Sequence, residues 1–329
     1  MEHAAIYHDN VPALIRACME TPCMQRLRHV GMNCGCEYTS FPRFAGLEPY
    51  SRFDHSVGVA LIVWHFTHDE KQAVAGLLHD VASPVFAHVV DFLKGDYLVQ
   101  ESTEDGTRAI IGDDEALQRV LSAHGLVTDD VCDYHIYPIA DNDSPKLSAD
   151  RLEYTLGNLL NYRIRTIGEV RAFYGDLSVG TNEEGAPELV FSDARKAEDF
   201  AFASLACSRI YVSDEDRYAM QMLSELLKDA IGLGVLTEAD LSTTEPEVIA
   251  KLLQNERTAA AWNRCRAYHA MRRAQAPEGE GQWRRIAAKK RYIDPLIAGV
   301  GRVSGFSDTF LTEKDAFLSD PQADWIAGE

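Results

Sequence analysis

The chain has 329 residues, 46% of them hydrophobic and 25% charged, proportions that exclude a disordered, collagen-like or disulfide-scaffold protein and leave room for a sizeable core. Its formal net charge of −19 opposes long nucleic acid or an anionic membrane as partner, because binders of polyanions need a basic face. A phosphate-bearing ligand must then be small and locally caged.

The longest near-continuous apolar run, Val57 to Phe66, is too short for a bilayer and contains His65. Met1-Glu2-His3 carries no basic stretch followed by an apolar one, so a cytoplasmic location is expected. Seven scattered cysteines, an odd number, read as reduced thiols. Cys34-Gly35-Cys36 has a spacing that matches no zinc ribbon or redox pair.

Taken in order, residues 11–32 predict two short helices, with Pro22 opening the second and Thr21 before it as cap. Gly31 to Gly46 reads as a loop. A buried helix follows from about His55 to Thr67. The next helix carries the apolar stripe Ala73, Val74, Leu77, Leu78 and Val81, and it ends in His79-Asp80. These two metal-competent side chains stand about 100° apart on a helix otherwise committed to burial, where a divalent cation offsets the cost of burying the charge. Pro84 ends that helix, and a turn at Ser83-Pro84 lets His88 re-enter the same pocket.

Gly95 to Glu115 is polar and acidic. Leu147 to Asn161 predicts a helix with a core stripe of Leu152, Leu156, Leu159 and Leu160, and with Asp150, Tyr154, Gly157 and Asn158 on another face. Residues 176–191 read as a β-hairpin with a long loop. Helical periodicity returns from Ala194 to about Leu233 and from Glu247 to about Arg273, and 276–281 is linker-like. There is no internal repeat.

His55, His79-Asp80 and Asp150, together with Gln25-Arg26-Leu27-Arg28, Phe41-Pro42, Arg52-Phe53-Asp54-His55-Ser56-Val57-Gly58-Val59, Phe86-Ala87-His88 and Asp150-Arg151-Leu152-Glu153-Tyr154, resemble the HD superfamily of metal-dependent phosphohydrolases. Within it they look like the deoxynucleoside-triphosphate triphosphohydrolase branch, which includes dGTPase-like and SAM-and-HD-domain proteins. The likeness runs from about Thr21 to Asn161 and is not recognisable beyond about Leu233.

The resemblance implies a mainly α fold: an HD core over residues 1–170, and a β-hairpin with a helical C-terminal extension over 171–329, packed on the core. It implies one divalent ion (Mn, Fe, Ni, Co, Mg or Zn) held by His55, His79, Asp80 and Asp150. Metal-activated water would attack a phosphate ester or anhydride of a small phosphorylated substrate, a nucleotide. His88, Asp91 and Arg52 would be catalytic, with Asp91 orienting His88, and Arg52, Arg151 and Tyr154 would bind substrate. Assembly with further copies of the chain stays open.

Departures from the branch keep a second reading alive, that of a non-catalytic nucleotide-binding or regulatory protein. Ser83 stands where the branch has the first of two catalytic histidines, and Thr103 stands where it has the histidine of a His-Glu pair. The basic cluster Arg284-Arg285 and Lys289-Lys290-Arg291 reads as a solvated face or subunit contact, or else as a regulatory or substrate phosphate site.

Overall fold

A computed structural model describes residues 4–90 and 106–329. Its helical frame begins with Ala13–Met19 and Pro22–Arg26, the pair expected around Pro22. Thr21 precedes the second helix without a side-chain cap; its hydroxyl donates instead to the Cys18 carbonyl, at 2.7 Å.

The Arg52–Thr67 helix is set by a reciprocal cap: Ser51 Oγ accepts from the Asp54 amide, and the Asp54 carboxylate accepts from the Ser51 amide. Every residue from His55 through Val63 is then buried, since the helix is apolar on nearly all sides. It packs against Glu70–Leu78, whose stripe is fully buried as its periodicity predicts, and against Ala149–Asn161. The latter contact is close because Gly58 has no side chain. A Cβ there would stand 2.5 Å from the Glu153 side chain.

The expected hairpin forms from Leu177–Thr181 and Pro187–Phe191. It is wider than a hairpin, because Leu296–Ile297 pairs in parallel with Pro187–Phe191 and antiparallel with Gly301–Arg302. A second small sheet pairs Met271–Ala274 with Trp325–Gly328. These strands are too short for an alternation signal in the sequence.

The helical run expected from Ala194 to Leu233 is two helices, Ala194–Ile210 and Asp214–Gly232. The break is written in Ser213-Asp214-Glu215-Asp216, a cap residue followed by an acidic first turn, and Ser213 Oγ accepts from the Asp216 amide. Glu245–Leu253, Glu256–Ala267 and Asp308–Ser319 complete the C-terminal part.

One apolar core joins the Arg52–Thr67, Glu70–Leu78, Ala149–Asn161 and Ala194–Ile210 helices, with Phe310 and Phe317 contributed by the last helix. A second joins Cys36, Phe41, Phe44, Val85, Phe86, Ala87, Val89 and Val90 to the helices between Asp214 and Ala267. Residues on both sides of position 170 therefore share each core. No helix among the described residues is long and apolar enough to cross a membrane.

Candidate metal centre

His55 projects from the first turn of its helix, His79 and Asp80 from the end of theirs, and Asp150 from the first turn of Ala149–Asn161. The ligating atoms of His55, His79 and Asp80 all lie within 4.8 Å of one another. Asp150 Oδ1 stands 3.1 Å from His55 Nε2 and 4.0 Å from His79 Nε2, and Asp80 Oδ2 stands 3.9 and 3.5 Å from the same nitrogens. Donors bound to one divalent ion at about 2.0–2.2 Å stand roughly 3–4 Å apart, so the spacings of His55, His79 and Asp80 fit such an ion, and Asp150 lies within the same reach of both imidazole nitrogens.

The tautomers agree. His55 Nδ1 lies 2.6 Å from Glu153 Oε2, and His79 Nδ1 lies 2.8 Å from the Gly76 carbonyl. Each acceptor holds the proton on Nδ1 and leaves Nε2, the nitrogen facing the carboxylates, to bind a cation.

Glu153 is fully buried and also accepts from the hydroxyls of Tyr50, at 2.5 Å, and Tyr7, at 3.4 Å. It lies within one of the motifs that carry the resemblance, yet sequence reasoning gives it no role. Its signal is a carboxylate one residue from the core-facing Leu152 and one turn below Asp150, where only a buried partner would justify it.

Without an ion, charges pair directly. Burial alone would lower the His55 pKa, but hydrogen bonds to Asp150 and Glu153 outweigh it and raise it to about 10. Burial would likewise raise both carboxyls. The Arg52 guanidinium, followed by His79 and His55, instead holds Asp80 well below the usual carboxylate range, and the hydrogen bond from His55 does the same for Asp150.

Of the side chains expected to handle substrate, three line one cavity of about 220 Å³ with the four candidate ligands: Arg52, His88 and Tyr154. His88 re-enters as the turn at Pro84 requires. Phe86 and Ala87, at φ 58° and 46°, hold left-handed backbone that costs non-glycine residues on the order of 1 kcal/mol or more each. The turn is clamped from several directions: Leu241 O accepts from the Val85 amide at 2.8 Å, Glu245 accepts from the Phe86 amide, and Arg26 donates to the Val81 and Ser83 carbonyls, both at 2.8 Å. Arg26 is thus a structural brace for the turn.

Arg52 is already engaged, with Nη1 2.9 Å from Asp80 Oδ2. Ser83 Oγ donates to the other Asp80 oxygen at 2.7 Å, so the residue in the place of a histidine orients a candidate metal ligand. Tyr154 sits with its ring centroid 6.5 Å from that of His55, and burial pushes its hydroxyl up to about 12.

Arg151 is not brought to the cavity. Its guanidinium turns into the preceding loop, donating to the Lys146 carbonyl at 2.7 Å and to Asn142, and pairing with Asp141 at 3.1 Å. Helical position puts it beside Asp150, but loop carbonyls satisfy its fork. Asp91 and Thr103 lie outside the described residues.

The cavity is completed from the C-terminal part. Tyr211 and Asp216 line it, as do Lys289 and Arg291 of the basic cluster, and Cys34 joins them from the loop near residue 35. All seven cysteines are unpaired, in keeping with reduced thiols.

No protein-family model matches the chain. Over 203 residues it is 27% identical to the uncharacterized protein YdhJ of Bacillus subtilis, a match that spans 60% of this chain and 60% of that relative's length. Over 267 residues it is 25% identical to the metal-dependent phosphohydrolase cns2 of Cordyceps militaris, covering 77% of this chain and 73% of that one. A solved phosphohydrolase structure from Bacteroides thetaiotaomicron aligns over 97% of this chain and 96% of its own, with a TM-score of 0.65 at 15% identity. The mainly helical fold is that of a known phosphohydrolase structure, and the chain is similar in sequence to a metal-dependent phosphohydrolase.

Proposed function

We propose that the protein is a phosphohydrolase of the HD superfamily that holds one divalent ion through His55, His79, Asp80 and Asp150 and cleaves a phosphate ester or anhydride of a nucleotide. The observation that supports this reading is the donor set: two imidazoles with Nδ1 already committed to acceptors and with Nε2 3.1–4.0 Å from the Asp80 and Asp150 carboxylates. When bound, the ion lowers the pKa of a water and polarises a phosphoryl oxygen.

The chain's own groups supply the rest. Glu153 fixes the tautomer and raises the basicity of His55. Arg52 and Ser83 orient the Asp80 carboxylate from its two oxygens. His88, half-buried in the same cavity, gives or takes the proton of the reacting group. Tyr154 offers a ring and a hydroxyl to the substrate's organic part.

A screen of nucleoside mono-, di- and triphosphates and simple phosphate esters with each metal tests this, with the products identified. Release of phosphate, pyrophosphate or triphosphate from a nucleotide supports it. A nucleotide that raises the melting temperature without turnover favours the non-catalytic reading, for which Ser83 is the specific observation. Neither binding nor turnover with any metal overturns both.

A further inference from the structure

We infer that Glu245, far along the chain, is a positioning residue for the proposed hydrolysis, fixing the turn that carries His88 into the cavity; this rests on the phosphohydrolase reading above. That turn does not hold itself. Phe86 and Ala87 occupy left-handed backbone, which residues with a side chain keep only where the surroundings over-determine it, and strain of this kind gathers at functional sites. Some amides of the turn are satisfied locally: Ala87 donates to the Pro84 carbonyl at 2.9 Å and Val89 to the Phe86 carbonyl at 3.1 Å. The amides of Val85 and Phe86 look elsewhere, and both residues are wholly buried, where an unmet donor is costly.

Both find their acceptors in one short run of chain, residues 241–245. Leu241 O accepts from the Val85 amide at 2.8 Å, and Glu245 Oε1 accepts from the Phe86 amide at 3.3 Å. Arg26 joins the run to the turn, since one nitrogen of its guanidinium donates to the Thr243 carbonyl at 3.1 Å and another to the Val81 and Ser83 carbonyls. Phe86 is gripped through its ring as well, which lies 6.0 Å from the ring of Tyr38 and 6.2 Å from that of Trp262, centroid to centroid.

Glu245 reaches the turn through its side chain, and that side chain is itself fixed. It opens the Glu245–Leu253 helix, is 3% exposed, and takes two further donors: the Gly31 amide at 2.8 Å on the same oxygen and the Tyr38 hydroxyl at 2.6 Å on the other. The segment around Gly31 has ties of its own, with the Arg52 amide donating to the Val30 carbonyl at 2.8 Å and the Met32 amide to the Tyr50 carbonyl at 3.0 Å. It is therefore a fixed anchor from which the carboxylate holds the turn. Burial raises the Glu245 carboxyl against the pull of these hydrogen bonds, so its charge is costly there and the clamp works through reach. Reach matters because a displacement of about 1 Å in a group that handles the reacting atoms can cost on the order of 10²-fold in rate.

Two variants of the manganese-loaded full chain separate reach from charge. Glu245→Asp keeps the charge but shortens the side chain, and Glu245→Gln keeps the length without the charge. Hydrogen exchange over residues 85–90, read by mass spectrometry, should quicken by on the order of tenfold or more in Glu245→Asp and stay near wild type in Glu245→Gln. With the compound cleaved in the screen above, Glu245→Asp should lose on the order of tenfold or more in kcat, at unchanged metal content and with KM within about threefold, while Glu245→Gln retains most of the rate. In a His88→Ala background, Glu245→Asp should cost less than about twofold further, because it acts through His88; a merely structural role would repeat its full cost there. Wild-type exchange or wild-type kcat in Glu245→Asp, or a full further loss in the His88→Ala background, overturns this inference alone. Wild-type protein that loads manganese and cleaves nothing overturns it together with the phosphohydrolase reading.

Discussion

The cavity is lined from two parts of the chain that are built on opposite principles. At the metal end, His55, His79 and Asp80 are almost wholly buried and come from adjacent, tightly packed helices, and each has a partner that fixes its protonation or orientation. The rest of the lining, Lys289, Arg291, Tyr211 and Asp216, comes from a strap and from helix ends of the C-terminal part. A charged centre in a low-dielectric site has to be preorganised, whereas a substrate wall can differ from one protein to the next on a constant frame. The difference predicts that substitutions at the metal end act on metal and turnover together, and that those at the wall act on ligand choice.

His88 breaks that division most sharply, because it lines the same cavity and is proposed to touch phosphate without holding the ion. His88→Ala should lower turnover by on the order of 10²-fold or more at unchanged metal content. Loss of the metal in this variant would show the role to be wrong.

Glu153 probes the metal end from behind. Glu153→Gln keeps the shape but weakens the Nδ1 contact of His55, and it should reduce metal affinity by about 10–100-fold in a competition titration with a chelator. An affinity equal to wild type would show that the buried carboxylate serves only Tyr7 and Tyr50.

Proton and metal compete at His55. Its folded pKa of about 10 lies above the ordinary 6.5, so in metal-free protein its contribution to stability is fully present below about pH 6.5 and is lost as pH rises through about 10. A bound ion needs the neutral ring, so metal affinity should climb between those values, by up to roughly tenfold per pH unit for one displaced proton. Metal titrations from about pH 6.5 to about 8.5 measure this, and a flat profile would contradict it.

Arg151 gives the smallest functional effect. Arg151→Met should cost about 1–3 kcal/mol in urea unfolding by releasing the 141–146 loop, and KM should change less than about twofold once the variant is folded.

The same contrast explains what is legible in the sequence. That His79, Asp80 and Asp150 come together is legible because an apolar stripe fixes the face each must occupy, whereas the helix of His55 is apolar on nearly all sides and only the motif around it marks that residue. The turn to His88 can be read from Pro84, which cannot continue a helix. Arg151 is misplaced by the sequence because periodicity gives the direction of a Cβ, whereas a long side chain goes where acceptors lie. Lys289 and Arg291 are visible as a charge cluster but have no assigned place, since an irregular strap held by Gln322, Arg217 and the end of a distant helix leaves no periodic trace. Two-residue strands such as Leu296–Ile297 exist only through pairing with distant chain.

The most direct test of the central claim is the metal content of purified wild-type protein after loading, set beside that of Asp80→Asn. The account predicts one divalent ion per wild-type chain with a rise in melting temperature, and loss of both in Asp80→Asn, where a buried cation would lack one of its two anionic ligands. A wild-type chain that holds no ion, or an Asp80→Asn chain that keeps a full equivalent, would contradict it.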